Sequence, residues 1–316
     1  MYVVTGGAGF IGSHIVQSLN QRGITEIIVV DSIGKGDERY KNLCDCRITD
    51  YFDRDEFRNL ILNNKLGYKI EAILHQGACS DTMETDGKYM LDNNFTFSKA
   101  VLHYALDNKT PLVYASSAAT YGAGTKFAEI PENENPLNVY GYSKLVFDQY
   151  VRSIMHKIES TVVGLRYFNV YGQREAYKGK MSSMVYQLYH QLKKTGVARL
   201  FKGTDGYGDG EQLRDFVFVG DVVKVNLFFA ESSPKVGIVN CGTGTSRTFN
   251  DIAKTIISLQ GKGSIEYVDM PESIRGKYQN YTQADLTALR NLGYTQEFST
   301  LENGIAQCLD TWNSQE

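Results

Sequence analysis

Within a few residues of its start the chain carries Gly6-Gly7-Ala8-Gly9-Phe10-Ile11-Gly12, whose glycines are spaced G-x-x-G-x-x-G at Gly6, Gly9 and Gly12. The loop separates a short β-branched run, Tyr2–Thr5, from an amphipathic segment running from Phe10 to Gln21. No other feature constrains the fold as much as a strand that becomes a helix through three spaced glycines. The first permits the tight turn, the second lets backbone approach a pyrophosphate, and the third lets helix and strand pack closely. The helix N-terminus then presents unpaired N–H groups to the phosphates. Asp31 closes the next apolar run, Glu26–Asp31, about twenty residues on, where an acidic residue meets a ribose 2′-OH. That favours NAD. Lys35, Arg39 and Arg54 follow closely and are placed to hold a 2′-phosphate instead, so the residues alone leave NAD and NADP open.

The rest of the first half repeats the strand–helix alternation. Apolar strand-like runs recur at Glu71–His75, Leu112–Ser116 and Thr161–Arg166, with helices predicted over Arg54–Asn63 and Asn94–Leu106. Strands that are apolar throughout, rather than alternating, belong to a parallel sheet covered on both faces. Right-handed crossovers make this a doubly wound α/β sheet, the Rossmann architecture. After Tyr171 the texture changes: Gly203–Gly210 reads as a polar loop, Gly237–Cys241 and Ile265–Val268 as strands, and Phe249–Leu259 as a helix. The expected organisation is a dinucleotide-binding domain over residues 1–168 with later returns near 215–250. A smaller C-terminal α/β lobe over residues 169–316 is expected to hold the substrate.

Composition excludes other classes. A net charge of −3 leaves no basic footprint for nucleic acid. The cysteines, Cys44, Cys46, Cys79, Cys241 and Cys308, are scattered and form no C-x-x-C pair, so neither a metal site nor a disulfide framework is expected. A reducing cytoplasm is the expected compartment. No apolar run approaches the roughly eighteen residues of a membrane span, and no leader is expected ahead of the glycine loop.

Tyr140-Gly141-Tyr142-Ser143-Lys144 contains a Y-x-x-x-K pair, Tyr140 and Lys144. On a helix that spacing puts both side chains on one face. An ammonium beside a phenol is expected to lower the phenol from its ordinary pKa of about 10, so that it takes a proton from a substrate alcohol. Tyr142 has Val146, not lysine, at the same spacing. Upstream, Tyr114–Gly122 ends a predicted strand in serines, at the edge where parallel sheets bind ligands. Serines after a strand are by themselves ordinary turn residues. Glycine loop, strand-end hydroxyls and Y-x-x-x-K in this order point to hydride chemistry.

The segments TGGAGFIG, ASSAATYG, YGYSK, RYFNVYG (Arg166–Gly172) and RDFVFVGD (Arg214–Asp221) together resemble the extended short-chain dehydrogenase/reductase family, which acts on nucleotide-sugars. HQGACSDT (His75–Thr82), GKYMLDNN (Gly87–Asn94), PLNVYGYSK and GKYQNYTQADL (Gly276–Leu286) are similar, within it, to the ADP-heptose 6-epimerases. The likeness runs from Tyr2 to about Trp312. It implies an isomerase that inverts C6 of an ADP-heptose through a 6-keto intermediate, with tightly bound NADP, for the heptose of lipopolysaccharide core. It also implies a homo-oligomer, in the family's pattern a pentamer.

Residue by residue, the resemblance implies that Ser117 and Tyr140 hold the reacting oxygen and that Lys144 tunes Tyr140 and binds the nicotinamide ribose. Gly6, Gly9, Phe10, Ile11, Gly12, Asp31, Ser32, Gln76, Gly77, Ala78, Cys79, Asn93 and Val170 fall on cofactor positions. Arg39 and Arg54 stand where these epimerases use positive residues, which favours NADP. Inversion requires the sugar to turn over, so a second acid–base group is useful. Lys178 matches the family position for it and also touches the cofactor. Asn169, Lys180, Gln187, Phe201, Lys202, Gly203, Thr204, Arg214 and Tyr278 fall on substrate positions, with Arg214 suited to a diphosphate. Lys180 and Gln187 depart from the Ser and His expected there, and the loop before Arg214 is longer than the family's.

Three alternatives fit these residues less well. A UDP-galactose 4-epimerase-like enzyme shares the loop and the Tyr–Lys pair but not the narrower motifs. A 4,6-dehydratase needs an Asp-Glu pair where Ala118 and Ala119 stand. A non-enzymatic nucleotide sensor has no use for an intact Tyr–Lys pair.

Overall fold

The computed structural model describes residues 1–272 and 279–314. Strands β1 (Tyr2–Thr5), β2 (Ile27–Val30), β3 (Asp50–Phe52), β4 (Ala72–His75), β5 (Leu112–Ser117) and β6 (Val162–Tyr167) lie in the first half. They are followed by β7 (Asn169–Tyr171), β8 (Val197–Phe201), β9 (Leu213–Phe218), β10 (Val236–Cys241), β11 (Ser246–Thr248) and β12 (Ser264–Val268). A seven-stranded sheet has the order β10-β6-β5-β4-β1-β2-β3, and every pairing in it is parallel. The expected doubly wound sheet is therefore present. A second sheet, β11-β9-β7, and a pair, β12-β8, stand apart from it.

The apolar strands are explained by their covering. All four residues of β2 and of β4 are buried. On one face, α1 (Phe10–Gln21) contributes Ile15 and Leu19 to a core that includes Val222 and Phe229. On the other, α2 (Arg54–Leu62) supplies Phe57 and Ile61 to a core with Val101, Phe147 and Val151. A third core gathers Tyr189, Leu192, Ile252, Ile256, Ile305 and Trp312 beside β8 and β9, remote in sequence from the glycine loop. The strand order reverses between β1 and β4, so the carboxyl ends at Thr5 and His75 lie side by side, and the Gln76 N–H donates to the Thr5 carbonyl at 3.0 Å. Ligands bind in the crevice that opens at such a reversal.

The helix expected over Asn94–Leu106 has a different form. Helix α3 starts at Gly87 and runs to Leu91, a π turn spans Asp92–Thr96, and α4 continues from Phe97 to Asp107. The wide turn rotates Asn94 inward, where its side chain bonds both the N–H and the C=O of Cys79 and the Ser143 hydroxyl, each within 2.9 Å. Single π turns of this kind occur mostly at functional sites.

Candidate active site

The carboxyl ends of β1, β4, β5 and β6 open on a cleft of about 1360 Å³ that reaches from the glycine loop to Phe201, Arg214 and Phe249. Gly6 adopts φ +64°, and a Cβ there would lie 2.7 Å from Gly77 backbone. At Gly12 a Cβ would come within 2.1 Å of the Gly6 carbonyl oxygen, so α1 packs directly on its own loop. Gly6, Gly9, Phe10, Ile11 and Gly12 all face the cleft. A bare backbone at a helix N-terminus is what a dinucleotide pyrophosphate requires, and the cradle fits it. Gly12→Ala forces helix and loop apart. It is expected to abolish dinucleotide binding in equilibrium titration and to cost about 1–3 kcal/mol of stability; unaltered affinity would contradict the cradle.

Asp31 follows β2 at the rim of the cleft. Its carboxylate accepts the Ala8 N–H at 3.0 Å and the Ser32 N–H at 2.8 Å and pairs with Arg39 at 2.7 Å. Burial pushes this carboxyl up, while Arg39 and the two N–H donors pull it back. Arg39 also pairs with Asp37 at 2.6 Å, and Arg54 bonds Asp55 and Asn93. Ser32, Arg39 and Arg54 line the cleft; Lys35 is exposed and is not among its lining residues. Gln76, Gly77, Ala78 and Cys79 form the wall after β4, with Gln76 held by Tyr167 at 2.8 Å and Asn226 at 2.9 Å. Asn93 faces the cleft, and Asn94 beside it braces the wall at Cys79. Adjacent asparagines look alike in sequence, and only the π turn decides which one faces inward.

Helix α5 (Val139–Ile154) carries the Tyr–Lys pair and is capped by Asn138, which accepts the Gly141 N–H at 2.8 Å. Gly141 is needed because a Cβ there would lie 2.7 Å from the Ala119 carbonyl. The first turn of α5 thus packs on the turn after β5, which brings Tyr140 to Ser117. Ser117 caps that turn, its oxygen accepting the Ala119 N–H at 3.1 Å, which leaves its own proton to donate. The Ser116 hydroxyl is instead committed to Asp148 at 2.8 Å. Asp148, one turn further from Lys144, is fully buried and also takes Tyr114 at 3.0 Å and Arg166 at 2.9 Å.

The Tyr140 phenol is not lowered as the spacing suggested. The Lys144 ammonium donates to the Ala115 carbonyl at 2.9 Å. Burial raises the Tyr140 phenol above its ordinary value, hydrogen bonding with Ser117 pulls it down, and Cys79 pushes it up. Burial also brings Lys144 down to about 8, against the pull of Asp148 and Cys79. Desolvation therefore sets the direction at Tyr140, and the hydrogen bond with Ser117 is the contribution that favours the phenolate.

Lys178 lies in a 3-10 segment, Ala176–Met181. It pairs with fully buried Glu175 at 3.2 Å. With Ser117, Tyr140 and Lys144 it lines the one cleft, as do Asn169, Val170, Lys180, Gln187, Phe201 and Arg214. Arg214 lies 5.7 Å from the Phe249 ring centre and bonds the Leu213 carbonyl at 2.9 Å. Lys202, Gly203 and Thr204 are not among the cleft's lining residues, although the Lys202 carbonyl accepts from Gln212 at 3.2 Å and its N–H donates to Val268 at 2.9 Å, both on the cleft wall. Lys202 pairs with Asp269 at 3.0 Å, Gly203 donates to Asp209 at 2.8 Å, and Thr204 accepts the Tyr207 N–H at 3.0 Å. The longer loop closes on itself. Tyr278 lies outside the described residues. Sequence reasoning missed Tyr177, Gln191, Arg199, Gln212 and Phe249, which also line the cleft. They come from elements distant in sequence and carry no motif.

Among the described residues no group of His, Cys, Asp and Glu is arranged to hold a metal, and no helix is long and apolar enough to cross a membrane. The model of the NAD dependent epimerase/dehydratase family matches residues 2–242. The chain is 52% identical over 310 residues to the ADP-L-glycero-D-manno-heptose-6-epimerase of Alkalilimnicola ehrlichii, covering 98% of this chain and 97% of that protein. Among solved structures, the ADP-L-glycero-D-manno-heptose-6-epimerase of Helicobacter pylori superposes with a TM-score of 0.86 at 32% identity, over 99% of this chain and 96% of that one. The UDP-glucose 4-epimerase of Thermus thermophilus, in complex with NAD, superposes with a TM-score of 0.79 at 26% identity, over 100% and 99% of the two chains.

Proposed function

Because the chain belongs to the NAD dependent epimerase/dehydratase family, we infer that it is an isomerase converting ADP-D-glycero-β-D-manno-heptose into ADP-L-glycero-β-D-manno-heptose. The observation that carries this reading is the meeting of Tyr140, Ser117 and Lys178 in the cleft that the glycine loop opens. A nicotinamide ring bound there supplies the hydride acceptor for oxidation at C6 and the donor for the return. Tyr140, with Ser117 favouring its phenolate, takes or gives the C6 hydroxyl proton in one orientation of the sugar. The 6-keto sugar, planar only at C6, then turns over, and its oxygen faces another way. Lys178, cationic in its pair with Glu175, moves the proton in that second orientation. Which of the two serves which face follows from the substrate's first pose.

Arg214 suits the diphosphate, since a guanidinium matches phosphate oxygens bidentately. Phe201 suits the adenine. Arg39 and Arg54 at the rim support NADP over NAD. Arg39→Ala is expected to lose about tenfold of any preference for NADP, read as the ratio of the two dissociation constants; an unchanged ratio would return Arg39 to a structural role. Residues 1–168, with later returns near 215–250, are read as the cofactor domain and 169–316 as mainly the substrate lobe; β10, in the large sheet, falls within those returns. The family resemblance supports a cytoplasmic homo-oligomer that supplies heptose for lipopolysaccharide core.

The test is an NMR assay with ADP-D-glycero-D-manno-heptose, run beside UDP-galactose and UDP-glucose. Inversion at C6 of the heptose alone is expected. Inversion at C4 of the hexoses would make the protein a 4-epimerase, and binding of dinucleotide without any turnover would make it a sensor.

A further inference from the structure

The segment that carries Lys178 is tied to the glycine loop by its neighbour. The Tyr177 hydroxyl accepts the Phe10 N–H at 2.9 Å, and the Lys178 ammonium lies 4.6 Å from the centre of the Phe10 ring. Phe10 is the first residue of α1, so its N–H is one of the donors that a pyrophosphate at this loop would take. The same hydroxyl lies 3.5 Å from where a Cβ on Gly9 would stand, inside the bare cradle. Asp31 and Arg39 also act on this phenol, and burial pushes it up to about 12, so it stands there as a neutral hydroxyl.

The two ends of the segment are held independently of this contact. Glu175, fully buried, accepts the Gly172 N–H at 3.1 Å before the segment and the Ser183 N–H and hydroxyl, each at 2.7 Å, after it. Between these anchors Gly179 adopts φ +51° with nothing within 4 Å of its Cβ position, a pivot with room to move. The chain from 176 to 182 is a strap with fixed ends whose middle is fastened to the glycine loop through Tyr177.

We propose that Tyr177 is a positioning residue that couples dinucleotide binding to the placement of Lys178. A pyrophosphate and the Tyr177 hydroxyl contend for the Phe10 N–H, so filling the loop releases Tyr177 and resets the strap that carries the second acid–base group. The inference rests on Gly6–Gly12 being a dinucleotide cradle, and its test is a binding measurement that needs no turnover.

Tyr177→Phe keeps the ring and removes only the contending hydroxyl. NADP and NAD are titrated into the full-length parent and variant, each first stripped of co-purified nucleotide. The variant is expected to bind about threefold to tenfold more tightly, the worth of one hydrogen bond that no longer has to be broken. A merely structural Tyr177 leaves affinity unchanged or weakens it, and either result overturns the proposal. Hydrogen exchange on the parent protein alone is the second readout. Added dinucleotide is expected to change exchange across residues 176–182, and an unchanged segment at saturation overturns the proposal whatever the variant does. Should the parent bind neither dinucleotide, the cradle reading falls as well.

Discussion

A Tyr140→Phe variant is expected to keep its dinucleotide and lose its turnover by about 10²–10⁴-fold, the usual contribution of a positioned acid–base group. The change removes one oxygen and no packing, because the ring remains at the start of α5 beside the turn after β5. Asn138 still caps the helix, and the Gly141 approach to Ala119 is untouched. The glycine loop lies on other elements, so affinity for NADP in titration should match the parent's. What disappears is the phenol that bonds Ser117 and is pulled down by it. The rate is read by NMR as inversion at C6 of ADP-D-glycero-D-manno-heptose. Turnover within a few-fold of the parent would remove Tyr140 from the chemistry and with it the assignment of the site.

Lys178→Met should leave the protein folded and cut epimerisation by about 10²–10³-fold, with dinucleotide affinity changed far less. Methionine preserves most of the stem's length and removes the ammonium that lies over the Phe10 ring. Glu175 loses a cation at 3.2 Å but keeps Gly172 and Ser183 as donors, so its buried carboxylate is not left unpartnered. That distinction matters, because a carboxylate buried with no partner would cost several kcal/mol and confuse a catalytic defect with an unfolded one. A thermal melt beside the NMR assay separates the two. A normal rate would make Lys178 a solvated loop residue, and Tyr140 would then have to serve both faces of the sugar.

The two variants also divide what their residues owe to local and to distant structure. Tyr140 and Lys144 are one helical turn apart, and a helix of any surroundings puts them on one face. Lys178 reaches the same cleft only because β7, β9 and the buried Glu175 bring its segment back over the glycine loop. Without the family resemblance it reads as one more exposed lysine.

The glycine spacing, the acidic residue that closes the second strand and the fully apolar runs were enough to determine a doubly wound sheet and a dinucleotide cradle. Each is a local demand: a positive φ at Gly6, a helix too close to its loop for any side chain at Gly12, strands with no wet face. Tertiary structure alone decided the rest. It turned Asn94 rather than Asn93 inward, aimed the Lys144 ammonium at the Ala115 carbonyl, paired Lys202 with Asp269 and laid Tyr177 on the Phe10 N–H. These outcomes depend on where a side chain's partner lies in space and on how much water is excluded around it. Backbone geometry and periodicity are written residue by residue along the chain, whereas desolvation and hydrogen-bond choice exist only once distant segments have packed.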